Sequence, residues 1–229
     1  MALWLGIDVG AERKGFDVAL IDERSLLELR GGLSVADVAE LAAARSPILA
    51  AIDSPRSCAP DGDTSRADER ELNRRVCGIR WTPDHAAVRN GGAYYAWVRH
   101  GLELYEALAA REVAAIEVFP TASWTRWCGP RGATSRARWS RDGLARLGVR
   151  GVPRTTNQDQ RDAIAAALTG RQHTHGLTEA IGEIIVPALP ELGAPALLDA
   201  GETPHQQRDR PRRHEHAHDH IAERVDVQL

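Results

Sequence analysis

Several carboxylates stand where acids are costly. In "LWLGIDVG", Leu3, Leu5, Ile7 and Val9 alternate as in a buried strand, and Asp8 sits inside that run. "AAIDSP" ends an apolar strand on Asp53, and "AIEVFP" carries Glu117 between apolar neighbours. "NQDQRDAIAAAL" spaces Asp159 and Asp162 three apart, on one face of a helix. Burying an unpaired carboxylate costs on the order of several kcal/mol unless a partner or a cation compensates it.

In sheets with parallel strands, sites gather at the carboxyl ends of the strands. Asp8, Asp53, Glu117 and Asp162 converging there would repel one another. A hard divalent cation, Mg²⁺ or Mn²⁺, relieves that repulsion and keeps waters that phosphate oxygens can replace. Two such ions about 4 Å apart hold both the attacking and the leaving oxygen of a phosphodiester. These four residues are therefore the candidate catalytic and metal ligands, with Asp159 as a further ligand. Structural readings stand beside this one. Asp53 before Ser-Pro also suits a turn, and Asp159 in a first helical turn also serves the helix dipole. Asp162 precedes Ala163, Ala165, Ala166 and Ala167, small residues that bring a helix close to a sheet, so it is the preferred helix ligand.

The charge is uneven. The chain of 229 residues carries a net charge of −3, which argues against a uniformly basic nucleic-acid binder. Residues 1–65 hold six basic and eleven acidic side chains, whereas residues 121–156 hold eight arginines against Asp142 alone. Within the basic segment, Arg126, Arg131, Arg136, Arg138 and Arg141 alternate with Trp124, Trp127 and Trp139. Guanidinium forks bind phosphates and indoles stack on bases, so these arginines and Trp139 are candidate nucleic-acid contacts. Trp124, close behind a strand, reads as core. The plainer alternative is a pair of surface helices with core tryptophans.

The elements that must position these groups follow from pattern. "LWLGIDVG", "GFDVALID" and "SLLELRGG" read as three strands joined by short turns, hence antiparallel. Ser34 caps a helix, with Asp37 three positions on. "PILAAIDSP" is a fourth strand and "VAAIEVFP" a fifth, with helices over "RADERELNRRVCGI" and "AYYAWVRHGLELYEALAARE" between them. "ERELNRR" sets Glu69 and Glu71 beside Arg70, Arg74 and Arg75, lining the same cleft or forming a solvated face. Asn157 caps a last long helix, and "GEIIVP" is a short strand-like exit. Residues 188–229 are rich in proline and histidine and read as a polar tail; His214, His216, His218 and His220 bind transition metals loosely at most. Cys58, Cys77 and Cys128 form neither a CxxC pair nor a disulfide framework. No apolar run reaches the roughly 18 residues of a membrane span. With strand pattern beginning at once, this leads us to expect a cytoplasmic chain.

Taken in order, "GIDVGAERKGFDVALID", "AAIDSPRS", "AIEVFPTASW", "DQRDAIAAALTG" and "GEIIVP" resemble the family called domain of unknown function 429. That family is described as predicted nucleases of ribonuclease H-like fold. The resemblance covers residues 3–187. It implies a mixed five-stranded sheet, its first three strands antiparallel, flanked by helices. It also implies a nuclease site in which Asp8 is the first-strand acid, Asp53 and Glu117 the acids of the fourth and fifth strands, and Asp162 the acid of the last helix. Two other functions compete. One is a binding or regulatory module on the same scaffold without turnover. The other is an actin-like ATPase or kinase, which shares the "DxG" first strand but needs a second domain copy that we do not find.

Overall fold

Every second residue of the first strand faces a different helix layer, and that parity decides where each acid points. The computed structural model describes residues 1–189. The strands are β1 (Trp4–Val9), β2 (Phe16–Ile21), β3 (Leu26–Leu33), β4 (Leu49–Asp53), β5 (Ala115–Val118), β6 (Thr178–Ile181) and β7 (Ile184–Pro187). The helices are α1 (Val35–Arg45), α2 (Ala67–Arg75), α3 (His85–Asn90), α4 (Ala96–Ala109), α5 (Pro120–Cys128), α6 (Arg136–Arg146) and α7 (Gln158–Thr174). The tail expected at 188–229, with its four alternating histidines, lies outside the described residues from position 190 on.

The sheet runs in the order β3-β2-β1-β4-β5-β7-β6. β1, β2 and β3 are antiparallel, as expected. β4 joins β1 in parallel, and β5 and β7 continue that direction. The expected five strands become seven. "LTEAIGEIIVP" folds into a hairpin, β6 antiparallel to β7, turning through Gly182 at a φ of 61°. Each arm is four residues long, too short for an alternation to stand out.

The two faces of the sheet are distinct. Leu5, Ile7, Val18, Leu20 and Ile52 pack on one face with Val38 and Leu41 of α1 and Leu104 and Leu108 of α4. Trp4, Ala19 and Ile21 pack on the other, against Ala163, Ile164, Ala167 and Leu168 of α7. Gly6 belongs to this second face. A Cβ there would stand 2.1 Å from the carbonyl oxygen of Ala163 and 2.2 Å from the backbone nitrogen of Ala167. The glycine thus lets the α7 backbone lie directly on β1. Asn157 caps α7 in a reciprocal box with Gln160, which fixes where the first turn begins. Ser34 and Asp37 cap α1 in the same way. Among the described residues no helix is long and apolar enough to cross a membrane.

Candidate metal centre

Asp8 stands at the middle of the site because two strands meet it in register. Antiparallel β2 sets Asp17 opposite it, and parallel β4 sets Asp53 beside it. Register partners share a face of the sheet. All three therefore face α7, along with Trp4 and Gly6. The first turns of α7 bring Asp159 and Asp162 to the same edge. Oxygens of Asp8, Asp17 and Asp159 lie within 4.8 Å of one another. Asp17 was not among the residues singled out from sequence; "GFDVALID" hid it as one polar residue in a strand, and only the hairpin register with Asp8 reveals it.

Asp162 is 2% exposed and is held from three directions. The indole N–H of Trp124 donates to Oδ1 at 2.9 Å. Arg136 donates to Oδ2 at 2.8 Å, and the Gln158 amide reaches both oxygens at 3.0 Å. Lys14, from the turn between β1 and β2, closes the opposite side. Its Nζ lies 2.9 Å from Asp159 Oδ1 and 3.6 Å from Asp8 Oδ2.

Burial and crowding shape the acids' chemistry. Burial, then the charge of Asp162, pushes the Asp8 carboxyl up to about 7, with Lys14 pulling the other way. Asp53 is raised well above its ordinary value by burial and by Asp8 and Asp162. Asp17 is raised by burial and by Asp159. Burial works against the Lys14 ammonium, yet its hydrogen bond to Asp159 and the charge of Asp8 leave it more strongly protonated than usual.

Glu117 does not join this group. β5 pairs Glu117 with Ile52, so it shares the Ile52 face and points away from Asp53. Both its oxygens are taken by the guanidinium of Arg66, Nη1 reaching Oε2 at 2.8 Å and Nη2 reaching Oε1. The backbone N–H of Arg56 adds a bond of 2.8 Å to Oε2. Burial pushes Glu117 up to about 7 against the pull of Arg66. The Glu117 assignment is corrected on this geometry: its charge is spent on holding the loop that follows β4. Glu69 belongs to the same buried network, accepting the N–H groups of Arg66 and Thr82. Glu71 is half-exposed and paired with Arg74 on the surface of α2.

The basic segment divides in two. Trp139 is 7% exposed and packs in the core beside Trp124, so its ring cannot stack on a base. Arg126 is likewise buried and bound to Glu179 of β6. Both assignments are corrected by burial. Arg131, Arg138 and Arg141 are exposed, and Arg136 reaches from the rim into the site. Arg138 pairs with Asp142 at 3.4 Å, and Arg141 lies 3.6 Å from the same carboxylate. These are surface pairs that an incoming phosphate can replace.

The donor set fits a hard divalent cation. It is all carboxylate oxygen, it gathers at the carboxyl ends of parallel strands, and Asp8 shares its charge with acids on both sides.

No protein-family model matches the chain, and no curated protein matches it. Two solved structures of Thermus thermophilus RuvC are similar to it. One is similar over 76% of this chain and 96% of its own, at 17% identity and a TM-score of 0.43. The other, RuvC in complex with a Holliday junction substrate, is similar over 77% of this chain and 96% of its own, at 15% identity and a TM-score of 0.49.

Proposed function

We propose that this chain is a divalent-metal-dependent phosphodiesterase acting on DNA or RNA, of ribonuclease H-like fold and allied to domain of unknown function 429. The observation that carries this reading is the convergence of Asp8, Asp17, Asp53, Asp159 and Asp162 on one edge of the sheet, beneath an arginine rim. Asp8, Asp53 and Asp162 would hold Mg²⁺ or Mn²⁺, with Asp17 and Asp159 at its hairpin side. The bound ion supplies Lewis-acid stabilisation of the negative charge that builds on the phosphodiester.

The chain's own groups do the rest. Trp124 and Gln158 fix the Asp162 carboxylate, so it keeps one orientation. Arg136 and Lys14 set N–H donors at the two margins of the acids, where they can grip non-bridging phosphate oxygens. Arg131, Arg138 and Arg141 extend the positive rim along the backbone of the nucleic acid.

One observation favours a binding module without turnover: Asp162 and Asp159 already carry protein cations, Arg136 and Lys14. The deciding experiment offers single-stranded, duplex, hybrid and branched DNA and RNA with Mg²⁺ or Mn²⁺. Cleavage that disappears in Asp8→Asn is expected. Binding without cleavage under every condition would leave the module; cleavage that survives Asp8→Asn would remove the mechanism.

A further inference from the structure

We infer that Lys14 is a resident cation of the acidic cleft, filling its Asp17–Asp159 side so that the site takes one divalent ion in place of two. This deepens the metal-dependent reading and rests on it.

The first argument is space. The oxygens of Asp8, Asp17 and Asp159 lie within 4.8 Å of one another, an enclosure for a single cation. The Lys14 ammonium already sits within salt-bridge distance of two of these acids, at 2.9 Å and 3.6 Å. A Mg²⁺ ion bonded to the same oxygens at about 2.1 Å would put two positive centres in one enclosure. On the inner side Asp53 stands in register with Asp8, and Arg136 is the protein cation that an ion reaching Asp162 would have to displace.

The second argument is that the lysine is placed by the fold. Its stem lies across Gly10, where an added Cβ would meet Lys14 Cδ at 2.9 Å. The turn that carries it is locked: Lys14 N–H donates to Ala11 O at 2.8 Å, Gly15 N–H to the same oxygen at 3.0 Å, and Gly10 N–H to Gly15 O at 3.1 Å. His100 of α4 adds a bond from outside, its Nδ1 lying 2.7 Å from the Gly10 carbonyl oxygen. A carbonyl only accepts, so Nδ1 carries the proton. Its backbone is held, so only the torsions of its half-exposed side chain remain to be ordered at the carboxylates.

The test counts ions on the full-length protein by Mn²⁺ titration and electron paramagnetic resonance. Asp8→Asn serves as background for ions bound elsewhere on the chain, the histidines included. Wild type is expected to bind one ion above background, with the spectrum of an isolated ion. Lys14→Met keeps the stem and removes the charge, and is expected to bind two, with the spin-coupled spectrum of a close pair. Lys14→Arg is expected to stay at one. Melting curves confirm that the variants fold. A coupled pair in wild type, or a single ion in Lys14→Met, would overturn the inference and leave the metal-dependent reading intact. No ion above background in any variant would overturn both.

Discussion

Glu117 and Arg66 form a buried ion pair on the face of the sheet opposite Asp8. Each side chain is 4% exposed, and the pair ties β5 to the residue that precedes α2. It shows how one step of strand parity separates two acids that sequence alone puts in one class. Asp53 and Glu117 sit on the neighbouring parallel strands β4 and β5, yet one faces α7 and the other the α4 layer.

Removing one partner from such a pair leaves an uncompensated buried charge. Arg66→Met is therefore expected to destabilise the protein by about 3–5 kcal/mol in urea unfolding. Glu117→Gln keeps the shape and is expected to leave Mn²⁺ affinity within about threefold of wild type. A loss of ion binding as deep as that of Asp8→Asn would restore Glu117 to the metal shell.

The two classes of basic-segment residue should respond in opposite ways. Arg136→Glu and Arg138→Glu are expected to weaken nucleic-acid binding and flatten its dependence on salt, since each phosphate contact contributes about one unit to the slope. Trp139→Ala is expected to cost about 3–5 kcal/mol of stability through a core cavity. Binding measured at several salt concentrations, alongside a melting curve, separates the two. Equal binding by the arginine variants and wild type would remove the rim from the nucleic-acid interface.

Much of this was legible in the residues and some was not. Ser34 and Asn157 announced two helix starts through side chains that satisfy free backbone N–H groups, a local signal. Asp8, Asp53 and Asp162 stood out because acids in apolar or alanine-rich surroundings need a reason. Asp17 and Lys14 were hidden because their meaning depends on pairing across a turn. Glu117 and Trp139 were misread for a related reason. A strand residue's face is set by register with its neighbours, and a tryptophan among arginines is core or surface according to helix packing.

Gly6 tests the close approach of α7 to β1. The helix runs at the sheet through Ala163 and Ala167, and a methyl group at Gly6 would overlap their backbone atoms, not a movable side chain. Overpacking of this kind costs about 1–3 kcal/mol, and more where backbone must shift. Gly6→Ala is expected to fall at or above the top of that range. It is also expected to lower Mn²⁺ affinity, because Asp162 moves with the helix. A variant as stable as wild type, with unchanged ion binding, would mean that α7 is not held at this distance.

The raised carboxyl of Asp8 makes a prediction about pH in the absence of metal. Its pKa is 3.8 in the unfolded chain and about 7 in the fold. Between those values the folded protein binds more protons than the unfolded one, so stability falls as pH rises through the window. Asp17 and Asp53 are raised as well and act in the same direction. The Lys14 ammonium stays charged throughout, because its hydrogen bond to Asp159 and the charge of Asp8 outweigh burial and raise it above the ordinary lysine value. The full Asp8 shift sets a ceiling of about 4 kcal/mol, shared among the coupled acids. Metal-free wild type is therefore expected to melt lower at pH 7.5, above the raised Asp8 carboxyl, than at pH 5, inside the window. Asp8→Asn, which removes the central charge, is expected to lose less over the same interval. Mg²⁺ or Mn²⁺ is expected to restore wild type at the higher pH and to do little for Asp8→Asn. Melting curves with chelator and with added ion measure all four states. Parallel pH profiles for the two proteins would show that the acids around Asp8 do not repel one another, and the electrostatic case for a cation there would go with them.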